Sequence, residues 1–163
     1  MTTRIDIRAR VFCAALALTA LAASAFSSVS SRRGTGAQAF GASTEDFVTG
    51  GGWIRGTPSG ARANFGVKGG FDGSRFFGHL NFVDHEDGMH VQAESITGYF
   101  AIDDTTRQIE GTAEIDGESG FTFSAVVSDT GEPGRADSFE LSLSSGYVAA
   151  GTLRGGNIQL HAD

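Results

Sequence analysis

The strongest constraint on the fold of this chain is a change of pattern at residue 45. From there onward, short runs that alternate apolar and polar residues are separated by clusters of Gly and Asp. Alternation of period two is typical of strands with one buried face. No stretch has the apolar spacing of a helix of ten residues or more, so the pattern predicts an all-β domain over residues 45–163.

The pattern contains ten candidate strands with short connections between them. Short connections favour antiparallel neighbours. The expected architecture is therefore a single antiparallel sandwich or meander β-barrel of about nine or ten short strands. The candidate strands are Phe47–Arg55, Ala63–Gly69, Arg75–Val83, Met89–Ile96, Thr97–Ile102, Gln108–Ile115, Phe121–Ser128, Ser138–Ser144, Tyr147–Arg154 and Asn157–His161. The Gly155-Gly156 pair opens the last of these, which we expect to pair with the first strand and close the sheet.

The alternation also predicts the register of two hairpins. The first has a loop at 85–88 and pairs Asp84 with Met89, Phe82 with Val91 and Leu80 with Ala93. The second has a loop at 116–120 and pairs Ile115 with Phe121, Ala113 with Phe123 and Gly111 with Ala125. In both hairpins the apolar residues of the two arms fall on one face, as a hairpin with one buried face requires.

The N-terminal 25 residues have the layout of a secretory signal peptide. A basic segment precedes an apolar run at 11–23, which ends in Ala23-Ser24-Ala25. The run is short for a membrane span, which needs about 20 apolar residues. We therefore expect bacterial export to a secreted, periplasmic or cell-surface location, with no stable membrane span after cleavage. The alternative is a retained N-terminal anchor.

Residues 26–44 are rich in Ser, Gly and Ala and show no hydrophobic period, which predicts a flexible leader. Ala37-Gln38-Ala39 within it is a second candidate cleavage site. The chain's only cysteine, Cys13, lies in the signal segment, so the exported part has no thiol and no disulfide.

The charge of the chain narrows the class of partner. The formal net charge is −7 at pH 7. Cleavage after Ala25 would remove three Arg and one Asp, which makes the remainder more acidic. This balance argues against nucleic acid and against docking to anionic lipid, and it is compatible with cation binding. The expected partner is a protein or a glycan.

Two segments are candidates for a metal site. Asp129, Glu132 and Asp137 lie in one predicted loop with glycines and a proline, a setting in which oxygen ligands bind calcium. The loop therefore predicts calcium as the cofactor. The alternative is an acidic turn in which Asp129 caps its own backbone.

The second candidate is the stretch Asn81–Val91, which contains two histidines and three acids. On the predicted register His79 faces Glu94, with His90 on the same face. Zinc needs three or four such ligands that converge. The hairpin at 75–96 is thus a weaker metal site, and the alternative is a polar outer face with an acidic turn.

No catalytic constellation appears in the sequence. There is no G-x-S-x-G elbow, and the acids are scattered along strand faces and loops. We therefore expect a protein that is not an enzyme. Trp53, Tyr99 and Tyr147 would suit a carbohydrate-binding face if they point outward, but we expect Trp53 to be buried.

A set of motifs resembles a known bacterial module. These motifs are FVTGGGWI at 47–54, ANFGV at 63–67, GHLNF at 78–82, GTAEIDG at 111–117 and GGNIQLH at 155–161. In this order they resemble the secreted post-choice-of-anchor C-terminal domain (post-COAP). The resemblance implies an exported or surface-associated β domain and no established catalytic activity.

Taken together, the sequence predicts an exported, non-enzymatic β module that acts through binding, adhesion or a structural accessory role. The alternatives are a metal-dependent enzyme that uses the outer face of the hairpin at 75–96, and a carbohydrate-binding module.

Overall fold

A computed structural model describes residues 46–162 of the chain. These residues form nine strands and no helix, which confirms the predicted all-β fold. The predicted signal peptide and leader lie outside the described residues. The strands are β1 (Phe47–Ile54), β2 (Ala63–Phe71), β3 (Phe76–Asp84), β4 (His90–Ala101), β5 (Thr106–Ile115), β6 (Glu118–Ser128), β7 (Ser138–Leu143), β8 (Val148–Thr152) and β9 (Gly155–His161).

The strands form one antiparallel sheet in the order β8-β7-β6-β5-β4-β3-β2-β1-β9. The chain runs as a meander from β1 to β8, and β9 then pairs with the free side of β1. The predicted pairing of the last strand with the first is therefore confirmed.

The sheet curls so that its two ends share one interior. The ring of Phe139 on β7 stacks on Phe65 of β2, with centroids 3.9 Å apart. The two strands are far apart in the strand order, so this contact requires strong curvature. The largest fully buried side chains include Phe82, Phe139, Ile54, Leu80, Ile109, Leu141 and Ile158. A single curled sheet is thus the architecture, and not two separate sheets packed as a sandwich.

Nine strands form instead of ten because two predicted strands are one. The predicted break between Ile96 and Thr97 lies inside β4, which continues to Ala101. The pairing of β4 with β5 shifts register between Ala93 and Ser95 and again between Ile96 and Gly98. Such bulges bend a strand without ending it, and they interrupt the alternation that marks a strand in the sequence.

The first predicted hairpin has the expected register next to its loop. Phe82 pairs with Val91, and the N–H of Asp84 donates to the carbonyl of Met89 at 3.0 Å. Pairing between β3 and β4 covers only Asn81–Val83 and His90–Gln92. The expected pair of Leu80 with Ala93 is wrong, because the first bulge of β4 begins at Ala93.

The second predicted hairpin is wrong by two residues. Ala113 pairs with Phe121, and the turn is formed by Asp116 and Gly117. Both of these residues have positive φ, 53° and 84°, as a two-residue type I′ turn requires. A shift of two keeps every side chain on its predicted face, so the buried set is unaffected.

The free side of β9 is covered by the loop that joins β6 to β7. Asp137, fully buried, accepts at Oδ2 from the N–H of Ile158 (2.9 Å), and Asp129 Oδ2 accepts from the N–H of Leu160 (2.9 Å). The carbonyl of Asp137 also accepts from the N–H of Leu153. Carboxylates therefore provide acceptors for an edge strand, along the line of contact between this loop and β9 that we call the seam.

A second buried polar group joins the start of β1 to β5. The Arg107 guanidinium donates to both carboxylate oxygens of Asp46, and Tyr99 Oη donates to Asp46 Oδ1 at 2.6 Å. All three side chains are buried. Burial, followed by the hydrogen bond to the Asp46 carboxylate, raises the pKa of Tyr99 above its usual value of 10.0.

Candidate functional site

The acidic stretch at 81–91 divides between the interior and the surface. Asp84 is buried, and its carboxylate accepts from Tyr147 Oη at 2.7 Å and from the backbone N–H of Glu86 at 3.0 Å. Burial and this carboxylate raise the pKa of Tyr147. His85, Glu86 and Asp87 are exposed in the loop. The stretch is therefore a hairpin turn that has one structural carboxylate at its base.

The weaker predicted metal group does not converge. His90 Nε2 accepts from Asn81 Nδ2 at 3.0 Å, whereas Glu94 accepts from Ser119 Oγ at 2.6 Å. His79 pairs across the strands with Lys68. Within residues 46–162, no group of three or more His, Cys, Asp or Glu is arranged to hold a metal ion.

The three acids of the predicted calcium loop are brought together around β9, but each already has a donor. Asp129 and Asp137 accept from backbone N–H groups of β9, and Glu132 Oε1 accepts from Asn157 Nδ2 at 2.9 Å. The Asp137 carboxylate also accepts from the N–H of Thr130. An ion in this loop would have to compete with these donors, and calcium binding by Asp129, Glu132 and Asp137 stays a prediction.

A cluster of side chains lies on the outer surface of β1 and β2, away from the buried core. We call it the cationic face: the outward residues of β9, β1, β2 and β3, together with Arg62, His85 and His90. The chain has four histidines, and all of them lie there. The face consists of cross-strand rows that include Trp53–Asn64–Val83–His90, Gly51–Gly66–Asn81–Gln92 and Thr49–Lys68–His79.

The centre of the cationic face is an aromatic ring covered by a guanidinium. Trp53 is partly exposed, and the Arg62 guanidinium carbon lies 4.7 Å from its ring centroid. Arg62 Nε and His85 Nε2 both donate to Asn64 Oδ1, each at 2.9 Å. The expectation that Trp53 is buried is wrong, because its neighbour Ile54 takes the inward position on β1.

A glycine on β9 lets the indole lie against the sheet. Gly155 pairs with Trp53, and a Cβ built at Gly155 would lie 2.6 Å from the indole Nε1. Any larger residue would therefore displace the ring.

The only lysine of the chain, Lys68, lies at one end of the cationic face, where aromatic rings surround it. Lys68 Nζ lies 5.7 Å from the Phe47 centroid and 5.5 Å from the Phe77 centroid. His161 stacks on Phe47 with centroids 4.3 Å apart. The rings hold the ammonium at the surface by cation–π attraction.

A depression adjoins Gly155 at the β9 end of this face. Arg135 and Arg154 line it together with Pro133, Gly134, Leu153 and Gly156. Arg154 is exposed, and its backbone N–H donates to the carbonyl of Trp53 at 2.9 Å. Two further arginines thus line a depression that adjoins Gly155, the strand partner of Trp53.

The outward surface of β5–β8 is different, and we call it the hydroxyl face. Its rows include Thr106–Ser128–Ser138–Thr152, Glu110–Ser124–Ser142–Val148 and Thr112–Thr122. Glu110, Glu114 and Glu140 contribute its charge. Among the outward residues of these four strands that the structure describes, none is Lys, Arg or His. The two faces are therefore of opposite electrostatic character.

Comparison with known proteins adds no identity to this geometry. No family model, no curated protein and no solved structure matches the chain. The resemblance of its motifs to the post-choice-of-anchor domain stays a prediction. Separately, no helix within residues 46–162 is long and apolar enough to cross a membrane.

The residues that define the cationic face were largely missed by sequence reasoning. Arg62 and Lys68 belong to none of the motifs, and only the pairing of the strands places them on the same face as Trp53. One signal was available in the sequence, namely the uneven distribution of basic residues. Residues 46–162 contain seven Lys and Arg, and none of them falls between Arg75 and Arg107 or between Arg107 and Arg135. The long middle part of the domain therefore has a single basic residue, Arg107.

Proposed function

We propose that the chain is an exported, non-enzymatic binding module and that the cationic face is its binding surface. Export is supported by the signal-like pattern of residues 1–25. The observation that carries the proposal is the placement of all four histidines, Arg62, Lys68 and the only tryptophan on one face of an acidic protein. Surfaces that recognise partners are enriched in Trp and Arg.

The arrangement of polar groups favours recognition over chemistry. A catalytic site brings a nucleophile, base or metal ligands to within hydrogen-bond reach of one reacting atom. On the cationic face, neighbouring rows are separated by about 7 Å along the strands and by about 4.8 Å across them. Its imidazoles bind different partners, since His85 contacts Asn64 and His90 contacts Asn81. Such a spread surface suits an extended ligand.

The alternative of a metal-dependent enzyme at the hairpin 75–96 has less support. His79, His90 and Glu94 each have a different neighbour, so they would have to rearrange to share an ion. The alternative of a carbohydrate-binding module gains support from the outward position of Trp53. It concerns the same face, so it specifies the ligand of the proposed module and does not replace the proposal.

A footprinting experiment tests the proposal without knowledge of the ligand. Lys68 is the only lysine of the chain, so amine-directed labelling reports on the cationic face at one side chain. The full chain is incubated with bacterial envelope material and labelled, and Lys68 is quantified by peptide mass spectrometry. We expect labelling of Lys68 to fall when envelope is present, and carboxyl labelling of Glu140 on the hydroxyl face to stay constant.

Variants connect the footprint to binding. Arg62→Gln should reduce co-sedimentation of the full chain with the envelope material, whereas Glu140→Gln should not. Unchanged labelling of Lys68 during co-sedimentation would show that another surface binds. Loss of co-sedimentation in Glu140→Gln would contradict the proposal equally.

A further inference from the structure

We propose that the ligand of the cationic face is an acidic polysaccharide, whose sugar ring stacks on Trp53 and whose carboxylates pair with Arg62 and neighbouring cations. This inference rests on the proposed function, because it names the ligand class of the same face.

Charge is the first argument for an anionic ligand. Residues 46–162 contain seven basic and sixteen acidic residues, so a random surface of this domain would be acidic. Two of the seven are already paired with acids, Arg107 with Asp46 and Arg75 with Asp72. Four of the remaining five, Arg62, Lys68, Arg135 and Arg154, lie on or beside the cationic face. The outward residues of β9, β1, β2 and β3 include no Asp or Glu, and Glu132 adjoins them at Asn157. The positive charge of the face itself is complementary to an anion.

The pairing of Arg62 with Trp53 points to a sugar acid and not to a bare polyanion. A sugar ring offers apolar C–H groups that stack on an indole, and a uronic acid carries its carboxylate on that same ring. The Arg62 guanidinium carbon now lies 4.7 Å from the indole centroid, so a sugar ring that stacks on Trp53 would take its place there. Arg62 is exposed, and once displaced its guanidinium would donate to the carboxylate of that sugar in a bidentate pair. One sugar residue would therefore satisfy both side chains together.

Amide side chains supply hydrogen bonds for the hydroxyls. The row next to Trp53 carries Asn81 and Gln92, and both side chains are exposed. Each amide offers both donors and acceptors, which a hydroxyl can use in either role. Cations alone would not distinguish a sugar from phosphate, whereas this mixture of ring, amide and cation does.

The spacing of the cations implies a polymer. Lys68 lies four residues along β2 from Asn64, the partner of Trp53, which is about 13 Å at 3.3 Å per residue. A ligand that reaches Trp53 and Lys68 at once is longer than one sugar ring. The depression lined by Arg135 and Arg154 extends the basic surface in the opposite direction.

Calorimetry with three polymers tests the inference on the full chain. The probes are polygalacturonate, the same polymer with its carboxyl groups methyl-esterified, and polyphosphate. We expect polygalacturonate to bind, and esterification to weaken binding at least tenfold because the charge is lost while the sugar rings remain. Polyphosphate should bind at least tenfold more weakly than polygalacturonate, because it offers no ring to Trp53.

Variants assign the binding to the face. Trp53→Ala and Arg62→Gln should each weaken polygalacturonate binding about tenfold, with Glu140→Gln as the matched control on the hydroxyl face. Thermal melts establish that each variant is folded, and Arg62→Gln serves as the test if Trp53→Ala unfolds. The inference would be overturned if polygalacturonate does not bind, or if its ester or polyphosphate binds as tightly as polygalacturonate. It would also be overturned if Arg62→Gln does not weaken the binding of polygalacturonate. If Lys68 is protected by envelope material while polygalacturonate does not bind, the ligand class is wrong and the binding face stands.

Discussion

The cationic face and the hydroxyl face cover the same interior with opposite chemistry. The inward residues of both are apolar, such as Val67 on β2 and Val127 on β6. Outward, β1–β3 and β9 present an indole, imidazoles and cations, whereas β5–β8 present hydroxyls and glutamates. A curled sheet needs only its inward residues for stability, so the outward residues are free to differ. We therefore propose that a ligand binds the cationic face and not the hydroxyl face.

The largest expected effect separates a structural cation from a binding cation. Arg107 is the one basic residue of β5–β8, and it points inward to Asp46. Loss of one partner of a buried ion pair costs about 3–5 kcal/mol. Arg107→Gln should lower the free energy of unfolding by this amount. Arg62→Gln should change it by less than about 0.5 kcal/mol, since Arg62 is exposed.

Urea denaturation of the two variants measures this contrast. Arg62→Gln should impair binding at full stability, while Arg107→Gln should bind normally at temperatures where it remains folded. A strongly destabilised Arg62→Gln would show that Arg62 holds the sheet and would remove the distinction between the two cations.

The next effect separates acids at the seam from acids on the hydroxyl face. Asp137→Ala would leave the buried N–H of Ile158 without its acceptor, which costs about 1–3 kcal/mol. Glu140→Ala should be nearly neutral, because Glu140 is exposed. Thermal melts compare the two. Asp137→Asn keeps one side-chain carbonyl oxygen as an acceptor, so its stability should lie between those of Asp137→Ala and Glu140→Ala. If Asp137→Asn is no more stable than Asp137→Ala, the charge of Asp137 matters more than its acceptor.

The same melts examine the predicted calcium site. If calcium binds the loop, calcium added after chelator should raise the melting temperature of the natural chain and have less effect on Asp137→Ala. An equal rise in both proteins would place the ion elsewhere.

A smaller effect concerns the interior where the two faces meet at β4. The pKa of Tyr99 is raised above 10.0 by burial and by its hydrogen bond to Asp46. A raised pKa means that the folded state holds the proton more tightly, so the stabilisation is present below pH 10 and is lost as pH rises above it. Tyr99→Phe cannot ionise at this position, and it should flatten the alkaline decline while losing about 1–2 kcal/mol at neutral pH.

Stability curves from pH 8 to 12 for the two proteins check this expectation. Tyr147 contributes in the same direction, because its pKa is also raised. Identical alkaline declines in Tyr99→Phe and the natural chain would show that Tyr99 titrates with little difference between the folded and unfolded states.

The smallest effect compares two glycines on the cationic face. A Cβ at Gly66 would meet no atom within 4 Å, and φ there is not positive. A Cβ at Gly70 would lie 2.5 Å from the Phe77 ring and 2.7 Å from Phe47. Gly66→Ala should therefore be neutral or stabilise by about 0.5–1 kcal/mol, since glycine weakens strand interiors. Gly70→Ala should destabilise. Loss of stability in Gly66→Ala would mean that this part of the face is more tightly packed than the geometry indicates.

Much of the fold could be predicted from the sequence because local alternation sets it. Strand positions were correct within a few residues, and the first hairpin had the right register beside its loop. The second hairpin was wrong because Asp116-Gly117, a turn signal for a type I′ hairpin, was placed inside a longer loop. The merging of two predicted strands into β4 followed from bulges, which alternation does not reveal.

The candidate site could not be predicted because it depends on pairings distant in sequence. Trp53 was assigned to the core, and only the inward position of Ile54 shows that it faces outward. The roles of Asp129 and Asp137 as acceptors for β9 require the last strand to lie beside the loop, some twenty to thirty residues away. Residue type indicated that these acids matter, but it did not indicate for what.

The most direct test of the cationic face as the binding surface is a nuclear magnetic resonance titration. The ¹⁵N-labelled full chain is titrated with a galacturonate oligomer. The chain has one tryptophan, so a single indole N–H signal reports on Trp53. We predict that this signal and the side-chain amides of Asn64 and Asn81 shift, while the backbone signals of Ser124 and Ser142 on the hydroxyl face stay constant. Shifts confined to the hydroxyl face, or an indole signal that does not move at saturating oligomer, would contradict the account.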